Sequence, residues 1–299
     1  MSPKLKTFIE RGISTVILLG LLGGAVAWNS LWGYAILVCV LCNLTTYEWF
    51  NMLKERNAES NRWLSLLAGL IYPWFMALGM LTDWVPVFDF ALVALGFLVF
   101  YVLSAFFAEL HAMDYRGRTG AQALSSMGIT VLSFIYPVWL FAFALSCLDS
   151  PIVPETGRLV KVMTLLWLVL ATKMSDIWAY VSGVLLGGKF IKRRFSPVVS
   201  PKKTWEGIIG SFLITSVCAW LMFGMTSFPV QISTWQFFAV LMPCIFILSV
   251  AGDLAGSLIK RGLAVKDSGS LLPGIGGIFD LIDSPAFTVS FFAAVLVIL

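Results

Sequence analysis

A polar segment near the C-terminus gathers the residue types that bind metal ions and phosphates. Residues 252–284 read GDLAGSLIKRGLAVKDSGSLLPGIGGIFDLIDS. The segment holds the carboxylates Asp253, Asp267, Asp280 and Asp283, the cations Lys260, Arg261 and Lys266, and the glycines Gly274, Gly276 and Gly277. Carboxylates hold Mg²⁺, cations hold phosphates, and glycines let backbone N–H groups approach an anion closely. The segment therefore predicts nucleotide or phosphoryl chemistry at a membrane surface.

The spacing of these residues predicts two polar helix faces. Asp253, Ser257, Lys260 and Arg261 lie at i, i+4, i+7 and i+8, which places them on one stripe of a helix. Asp280 and Asp283 lie at i and i+3 where the next apolar helix begins. If the three aspartates converge, they form a divalent-metal site. The alternatives are a structural ion pair for Asp253 and simple acidic capping of a helix at Asp283.

Two further groups of polar residues lie upstream. Lys173, Asp176 and Tyr180 form a second stripe, which indicates either an internal ion pair or a part of the site. Ser200, Lys202, Lys203 and Thr204 directly precede a predicted helix, and hydroxyls, lysines and a helix N-terminus together predict a phosphate site. Glu206 falls in the first turn of that helix, where the helix dipole favours it.

The composition excludes a soluble domain. The chain is 59% hydrophobic and only 12% charged, whereas soluble domains carry about 25% charged residues. We expect an all-α polytopic membrane protein with about nine transmembrane helices. The predicted spans are 12–28, 31–50, 63–81, 87–108, 128–148, 160–187, 206–228, 235–261 and 280–299. The first is interpreted as a retained span, because no convincing cleavage site follows it.

The distribution of cations predicts the orientation in the membrane. The N-terminus and the alternate loops 51–62, 109–127, 188–205 and 262–279, with Lys260 and Arg261, hold 17 of the 20 cations. The positive-inside rule then places the N-terminus and the polar chemistry in the cytoplasm and the C-terminus outside. This charge suits anionic lipid and an anionic soluble substrate, and nucleic acid is not expected as a partner.

The sequence also predicts two regions with different roles. Residues 1–160 are predicted to form a scaffold of five helices, because their spans are almost purely apolar. Charge and glycine enter the spans later, so residues 161–299 are predicted to form a catalytic region of four helices with cytoplasmic loops 188–205 and 262–279. The five cysteines all fall in or beside apolar segments and are expected to pack there. Near the inner end of the second span, Glu48 is expected to pair with a cation.

The polar motifs resemble those of a known enzyme family. The pattern S-L-I-K-R-x4-K-D-x-G-x2-L-P-G-x-G-G-I-x-D-x-I-D over 257–283 is similar to the signature of the phosphatidate cytidylyltransferases, the CDP-diacylglycerol synthases. The upstream SPKKTWEG, the preceding GDL and SDIWAYVSGVLLGGKF at 175–190 resemble the same family. The resemblance covers residues 175–284.

The resemblance implies a reaction and roles for these residues. CTP and phosphatidic acid would give CDP-diacylglycerol and pyrophosphate, supported by Mg²⁺ and in this family also by a monovalent cation such as K⁺. Asp253 and Asp280 would be metal ligands with Asp283 as adjacent support. Catalytic roles fall to these aspartates with Lys260 and Lys266; the residues expected to bind substrate are Asp176, Ser200, Lys202, Lys203, Thr204, Ser257, Arg261, Asp267, Gly274, Gly276 and Gly277.

Other functions and assemblies remain open at this point. The same site can serve another lipid phosphate as acceptor, such as an ether or isoprenoid lipid. A membrane cation transporter is the alternative from a different class, although its charges would cross the midplane rather than crowd the cytoplasmic half. The expected location is a bacterial inner membrane, and a homodimer is one assembly considered.

Three residues depart from the family pattern. Ile275 replaces the histidine of PGHGG, Leu281 replaces the arginine of D-R-x-D, and Gly256 replaces a glutamate. The departures leave the expected fold unchanged and bear on substrate preference and activity.

Restoring the family histidine tests whether it matters chemically. The attacking group is a phosphate, which is already anionic at pH 7, so a general base contributes little. We therefore expect Ile275→His to change turnover only modestly in an assay of nucleotide transfer to a lipid phosphate. A large gain in rate would instead give the histidine a chemical role.

Overall fold

The computed structural model describes residues 20, 24, 30–55, 60–82, 87–148, 158–225, 233–273 and 276–298. Eight of its helical segments are long and apolar enough to cross a membrane, counted over this described part of the chain. The protein is an all-α polytopic membrane protein with one small sheet. The predicted span 12–28 lies outside the described residues, apart from Gly20 and Gly24.

The helices of the N-terminal half follow the predicted spans. They are α1 (Leu31–Glu55), α2 (Arg62–Leu81), α3 (Val87–Arg116) and α4 (Gly120–Phe134). A π-helical turn at Ile135–Trp139 continues α4 into the short helices α5 (Leu140–Ala142) and α6 (Ala144–Leu148). The predicted loop 109–127 was wrong in length, since α3 and α4 leave only 117–119 between them. The capping box of Thr119 and Gln122 starts α4 early.

The C-terminal half contains four long helical segments and a hairpin. Helix α7 (Arg158–Leu186) is followed by strands β1 (Arg194–Ser196) and β2 (Ser200–Thr204), and then by α8 (Trp205–Met225). Helix α9 (Thr234–Gln236) runs through a π-helical turn at Phe237–Leu241 into α10 (Met242–Gly262). Helix α11 (Ile278–Ile298) ends the described chain. The β-hairpin occupies the predicted loop 188–205, where the sequence analysis expected no strand.

The hairpin joins the end of α7 to the start of α8, so these two helices must lie side by side. The contact between them is built from glycines. A Cβ on Gly207 would lie 2.7 Å from the carbonyl oxygen of Ala179, and one on Gly210 would lie 2.7 Å from the Ser182 hydroxyl. Small residues allow this close approach of two backbones inside a membrane. The contact brings β2 against the end of α7.

Buried hydroxyls hold the four C-terminal helical segments together. Thr172 on α7 shares a hydrogen bond of 3.0 Å with Thr288 on α11, and Ser175 shares one of 2.7 Å with Ser249 on α10. On α8, Ser211 donates to the Ser175 carbonyl oxygen at 2.5 Å. These side chains bond across helices without introducing charge.

The glycine contact predicts that alanine substitutions at two positions of α8 differ in their effect on stability. Alanine normally favours a helix over glycine by about 1 kcal/mol, but overpacking a tight contact costs roughly 1–3 kcal/mol. We expect Gly207→Ala to lower the melting temperature of the protein in detergent. Gly224→Ala is the control, because its Cβ would enter open space on the same helix. Equal melting temperatures for the two variants would contradict the tight contact.

Candidate active site

A polar cavity opens where β2 faces α7, α10 and the start of α11. Its volume is about 300 Å³. Four aspartates line it, one from α7, one from α10 and two from α11. The residues that line it are Asp176, Ala179, Tyr180, Ser200, Lys202, Lys203, Thr204, Ile208, Asp253, Asp280 and Asp283. Carboxylates and lysines from distant parts of the sequence therefore face one volume.

Each aspartate of the cavity has a lysine partner. Lys203 of β2 pairs with Asp253, and Lys260 of α10 pairs with Asp280. On α7, Lys173 lies 3.7 Å from Asp176 and 3.6 Å from Asp283. Carboxylates without a partner among these apolar helices would carry a large desolvation cost, which the lysines offset.

Asp280 is the most firmly oriented of the four carboxylates. Its Oδ2 accepts hydrogen bonds from the Ser268 backbone N–H at 3.2 Å, the Ser268 hydroxyl at 2.7 Å and the Gly277 N–H at 3.1 Å. Its Oδ1 faces Lys260. Gly276 has a φ of +126°, which favours glycine there. Gly276 and Gly277 thus lie against the Asp280 carboxylate.

Asp176 and Asp283 are linked through one hydroxyl. The Ser284 hydroxyl donates to Asp283 Oδ1 at 3.2 Å and lies 3.4 Å from Asp176 Oδ2. Asp283 Oδ1 also accepts the Ser284 backbone N–H at 2.7 Å. Lys173 and Ser284 together hold these two carboxylates on one side of the cavity.

The hairpin delivers the basic side of the cavity. The Thr204 hydroxyl accepts the Gly207 N–H at 3.0 Å and so caps the start of α8. Glu206 Oε1 accepts the N–H groups of Gly188, Phe190 and Ile191 at 3.0, 3.1 and 2.7 Å. This carboxylate not only interacts favourably with the dipole of α8 but also fixes residues 188–191, the segment that follows α7. Lys203, which directly precedes the capping Thr204, pairs with Asp253.

The structure brings together the core of the predicted site. The predicted residues that line the cavity are Asp176, Ser200, Lys202, Lys203, Thr204, Asp253, Asp280 and Asp283. Lys260 and Gly277 contact Asp280 from outside the lining. Arg261, Lys266 and Asp267 are exposed, whereas Ser257 is half-buried. Gly274 lies outside the described residues.

The departures from the family pattern have different surroundings. A Cβ on Gly256 would lie 3.0 Å from the Tyr136 hydroxyl and 3.0 Å from the Asp283 Cβ, so a larger side chain has little room there. Leu281 is half-buried and packs against the main hydrophobic core. Ile275 lies outside the described residues.

Sequence reasoning missed contributions from the N-terminal half. Glu48 is not in an ion pair with any cation of the described residues, contrary to expectation; its Oε2 accepts the Phe279 N–H at 2.9 Å instead. The Tyr136 hydroxyl donates to the Gly252 carbonyl oxygen at 2.9 Å. The only signal for Glu48 was a carboxylate near the end of an apolar span.

The donor set of the cavity suits a hard divalent cation. Within the described ranges, no group of three or more His, Cys, Asp or Glu side chains is arranged to hold a metal ion. Mg²⁺ usually needs only one or two protein carboxylates, since substrate phosphates and water complete its shell. The aspartates of the cavity meet that requirement.

The comparison with known protein families identifies the family of this chain. Residues 9–299 match the cytidylyltransferase family. The chain belongs to the cytidylyltransferase family. Within this family it is 28% identical over 299 residues to a phosphatidate cytidylyltransferase of Synechocystis sp., covering 93% of this chain and 90% of the relative.

Two other phosphatidate cytidylyltransferases are similar to different shares of this chain. A chloroplastic phosphatidate cytidylyltransferase of Arabidopsis thaliana is 29% identical over 287 residues, covering 90% of this chain and 67% of the relative. A phosphatidate cytidylyltransferase of Haemophilus influenzae is 40% identical over 119 residues, which cover 39% of this chain and 41% of that protein. The similarity is therefore strongest over a limited segment.

The contacts of Glu206 predict the effect of neutralising it. Hydrogen bonds to a charged acceptor contribute about 1.5–3 kcal/mol, and those to a neutral one about 0.5–1.5 kcal/mol. We expect Glu206→Gln to raise amide hydrogen exchange in the segment 188–191 by roughly tenfold, because its local opening becomes easier. Hydrogen-exchange mass spectrometry measures this. Glu55→Gln, at an exposed position of α1, should leave the segment unchanged; equal exchange in both variants would refute the role.

Proposed function

We propose that this protein transfers CMP from CTP to phosphatidic acid, which gives CDP-diacylglycerol and pyrophosphate. The observation that carries the proposal is the cavity, in which lysines and aspartates of the family motifs face each other. Membership of the cytidylyltransferase family and similarity along nearly the whole chain to a phosphatidate cytidylyltransferase support it.

The basic side of the cavity suits the triphosphate of CTP. Lys202 and Lys203 supply positive charge, while Ser200 and Thr204 supply hydroxyls beside the start of α8. A helix N-terminus with lysines and hydroxyls is a favourable environment for phosphate oxygens. These residues would hold the nucleotide with its α-phosphorus towards the aspartates.

The acidic side suits Mg²⁺. Asp253 and Asp280 would hold the ion, with Asp283 in support, and Asp176 leaves a further carboxylate for a monovalent cation. When bound, Mg²⁺ neutralises charge on the phosphates and favours departure of pyrophosphate.

The lysine–aspartate pairs must change partners when substrates bind. Lys203 pairs with Asp253, so contact with a triphosphate would require Lys203 to turn away from this carboxylate, which would then be available to hold the metal ion. The pairing keeps these partly buried charges compensated. Asp253 would then face a cation and Lys203 a phosphate, so each would keep a partner of opposite charge.

Transfer needs positioning more than proton chemistry. A phosphate oxygen of the lipid forms the new bond to the α-phosphorus of CTP, and the bond from that phosphorus to the β-phosphate oxygen breaks with its electron pair leaving on pyrophosphate. The acceptor is already anionic at neutral pH, because phosphate monoesters have a second pKa near 6. His111, the sole histidine, has its ring centroid 4.4 Å from that of Tyr115 in a tilted arrangement and does not line the cavity.

The proposed location is a bacterial inner membrane with the cavity on the cytoplasmic side. The helices are long and apolar enough to span a membrane. The cavity lies among the loops that the positive-inside rule assigns to the cytoplasm. CTP would therefore reach the site from the cytoplasm and the acceptor from the lipid.

The direct test supplies both substrates to the purified protein in detergent. We expect pyrophosphate release and CDP-lipid formation that require CTP, phosphatidic acid and Mg²⁺ together. Release with an ether or isoprenoid lipid phosphate, but none with phosphatidic acid, would assign a different acceptor. Absence of CTP binding would reject the nucleotide site.

The aspartates of the cavity predict the effect of neutral variants. Asp253→Asn and Asp280→Asn should each abolish measurable turnover, because a metal ligand and the orientation of its neighbours are lost together. Both proteins should remain folded and inserted, as judged by melting temperature and gel filtration in detergent. Asp114→Asn, at an exposed position of α3, serves as the control. Near-normal turnover in either cavity variant would contradict the assignment of that aspartate as a metal ligand.

A further inference from the structure

Glu48 connects the N-terminal half of the chain to the start of α11, the helix that carries Asp280. It lies on α1 and is 1% exposed. Its Oε2 accepts the backbone N–H of Phe279, a residue in the first turn of α11, at 2.9 Å. A carboxylate at a helix N-terminus satisfies a backbone donor that lacks a partner within the helix and interacts favourably with the helix dipole.

The chain around Glu48 leaves room for its carboxyl group and little else. A Cβ on Gly269 would lie 2.6 Å from Glu48 Oε1, and a Cβ on Gly277 would also collide with the Glu48 carboxyl group. Two glycines of the loop 263–277 therefore close around one side chain of α1. Such close packing fixes the position of the turn relative to α1.

A second contact from α1 reaches the same residue. The Trp49 ring lies 5.7 Å from the Phe279 ring, and Tyr136 stacks on Phe279 at 5.2 Å. The residue that follows Phe279 is Asp280, whose Oδ2 is held by Ser268 and Gly277. The start of α11 is thus fixed by two sets of contacts: Glu48 binds Phe279, and Asp280 binds Ser268 and Gly277.

We propose that Glu48 is a positioning residue for the reaction. By fixing the start of α11, it orients the Asp280 carboxylate towards Lys260 and the cavity. Glu48 does not line the cavity, so it acts through Asp280 rather than on substrate. The consequence for metal use and turnover rests on the proposed function, whereas the positional role does not.

Two variants of Glu48 separate its hydrogen bond from its charge. Glu48→Leu removes the acceptor at nearly constant size, and Glu48→Gln keeps an oxygen acceptor without the charge. Loss of a residue that orients a metal ligand typically lowers metal affinity or activity by roughly 10–100-fold. We expect Glu48→Leu to raise the Mg²⁺ concentration needed for half-maximal turnover by about tenfold or more and to lower kcat. The KM for CTP should change little. The Mg²⁺ requirement and the kcat of Glu48→Gln should lie between those of the wild type and of Glu48→Leu.

Hydrogen exchange provides a readout that does not depend on turnover. Faster exchange of the amides of Ser268, Gly277 and Phe279 is expected in both variants, with Glu55→Gln on the same helix as the control. Unchanged exchange at the start of α11 would overturn the proposal even if activity fell. So would a normal Mg²⁺ requirement in an active variant with faster exchange, since the turn would then not orient Asp280.

The test survives two foreseeable failures. If Glu48→Leu does not fold, Glu48→Gln alone decides, and an exchange pattern and Mg²⁺ requirement equal to wild type reject the positioning role. If the wild-type protein does not turn over CTP and phosphatidic acid, the proposed function fails by itself. Exchange at Phe279 then still establishes or refutes the role of Glu48 in holding the turn.

Discussion

Compensation of charge around the cavity governs the arrangement of the site. Four carboxylates face a small cavity at the end of a bundle of apolar helices, where an uncompensated charge would be strongly unfavourable. The compensating groups come from separate elements: Lys203 from the hairpin, Lys260 from α10 and Lys173 from α7. The hairpin, the glycine contact and the loop before α11 all serve to bring these partners within reach.

Hydrophobic run length and polar spacing made the fold and the centre of the site predictable. The helices Arg62–Leu81, Arg158–Leu186 and Ile278–Ile298 begin and end within two residues of the predicted spans. Asp253 lies near the end of one predicted span and Asp280 at the start of the next, which made one shared metal site conceivable from the sequence; both line the cavity. Depth along a helix is readable from sequence, since the rise per residue is constant.

Contacts that depend on backbone geometry were not predictable in the same way. The three N–H groups that bind Glu206 become neighbours only through the path of the chain after α7. Glu48 binds a residue 231 positions away in sequence, and no local pattern indicates such a pairing. The hairpin was missed because Ser-Pro-Lys-Lys-Thr has no alternation of apolar residues; its strands are defined by pairing of Arg194 with Thr204 and of Ser196 with Ser200.

The pairing of Lys173 with two acids bears on how the chain enters the membrane during synthesis. Lys173 and Asp176 are one turn apart on α7, so this helix can neutralise its own charges before any other helix is present. The Thr172 hydroxyl likewise bonds to the Leu168 carbonyl oxygen within the helix. Asp283 meets Lys173 only after α11 has been made, more than 100 residues later. Helix α7 can therefore be inserted as a self-contained unit, and its polar groups are shared with the later helices on assembly.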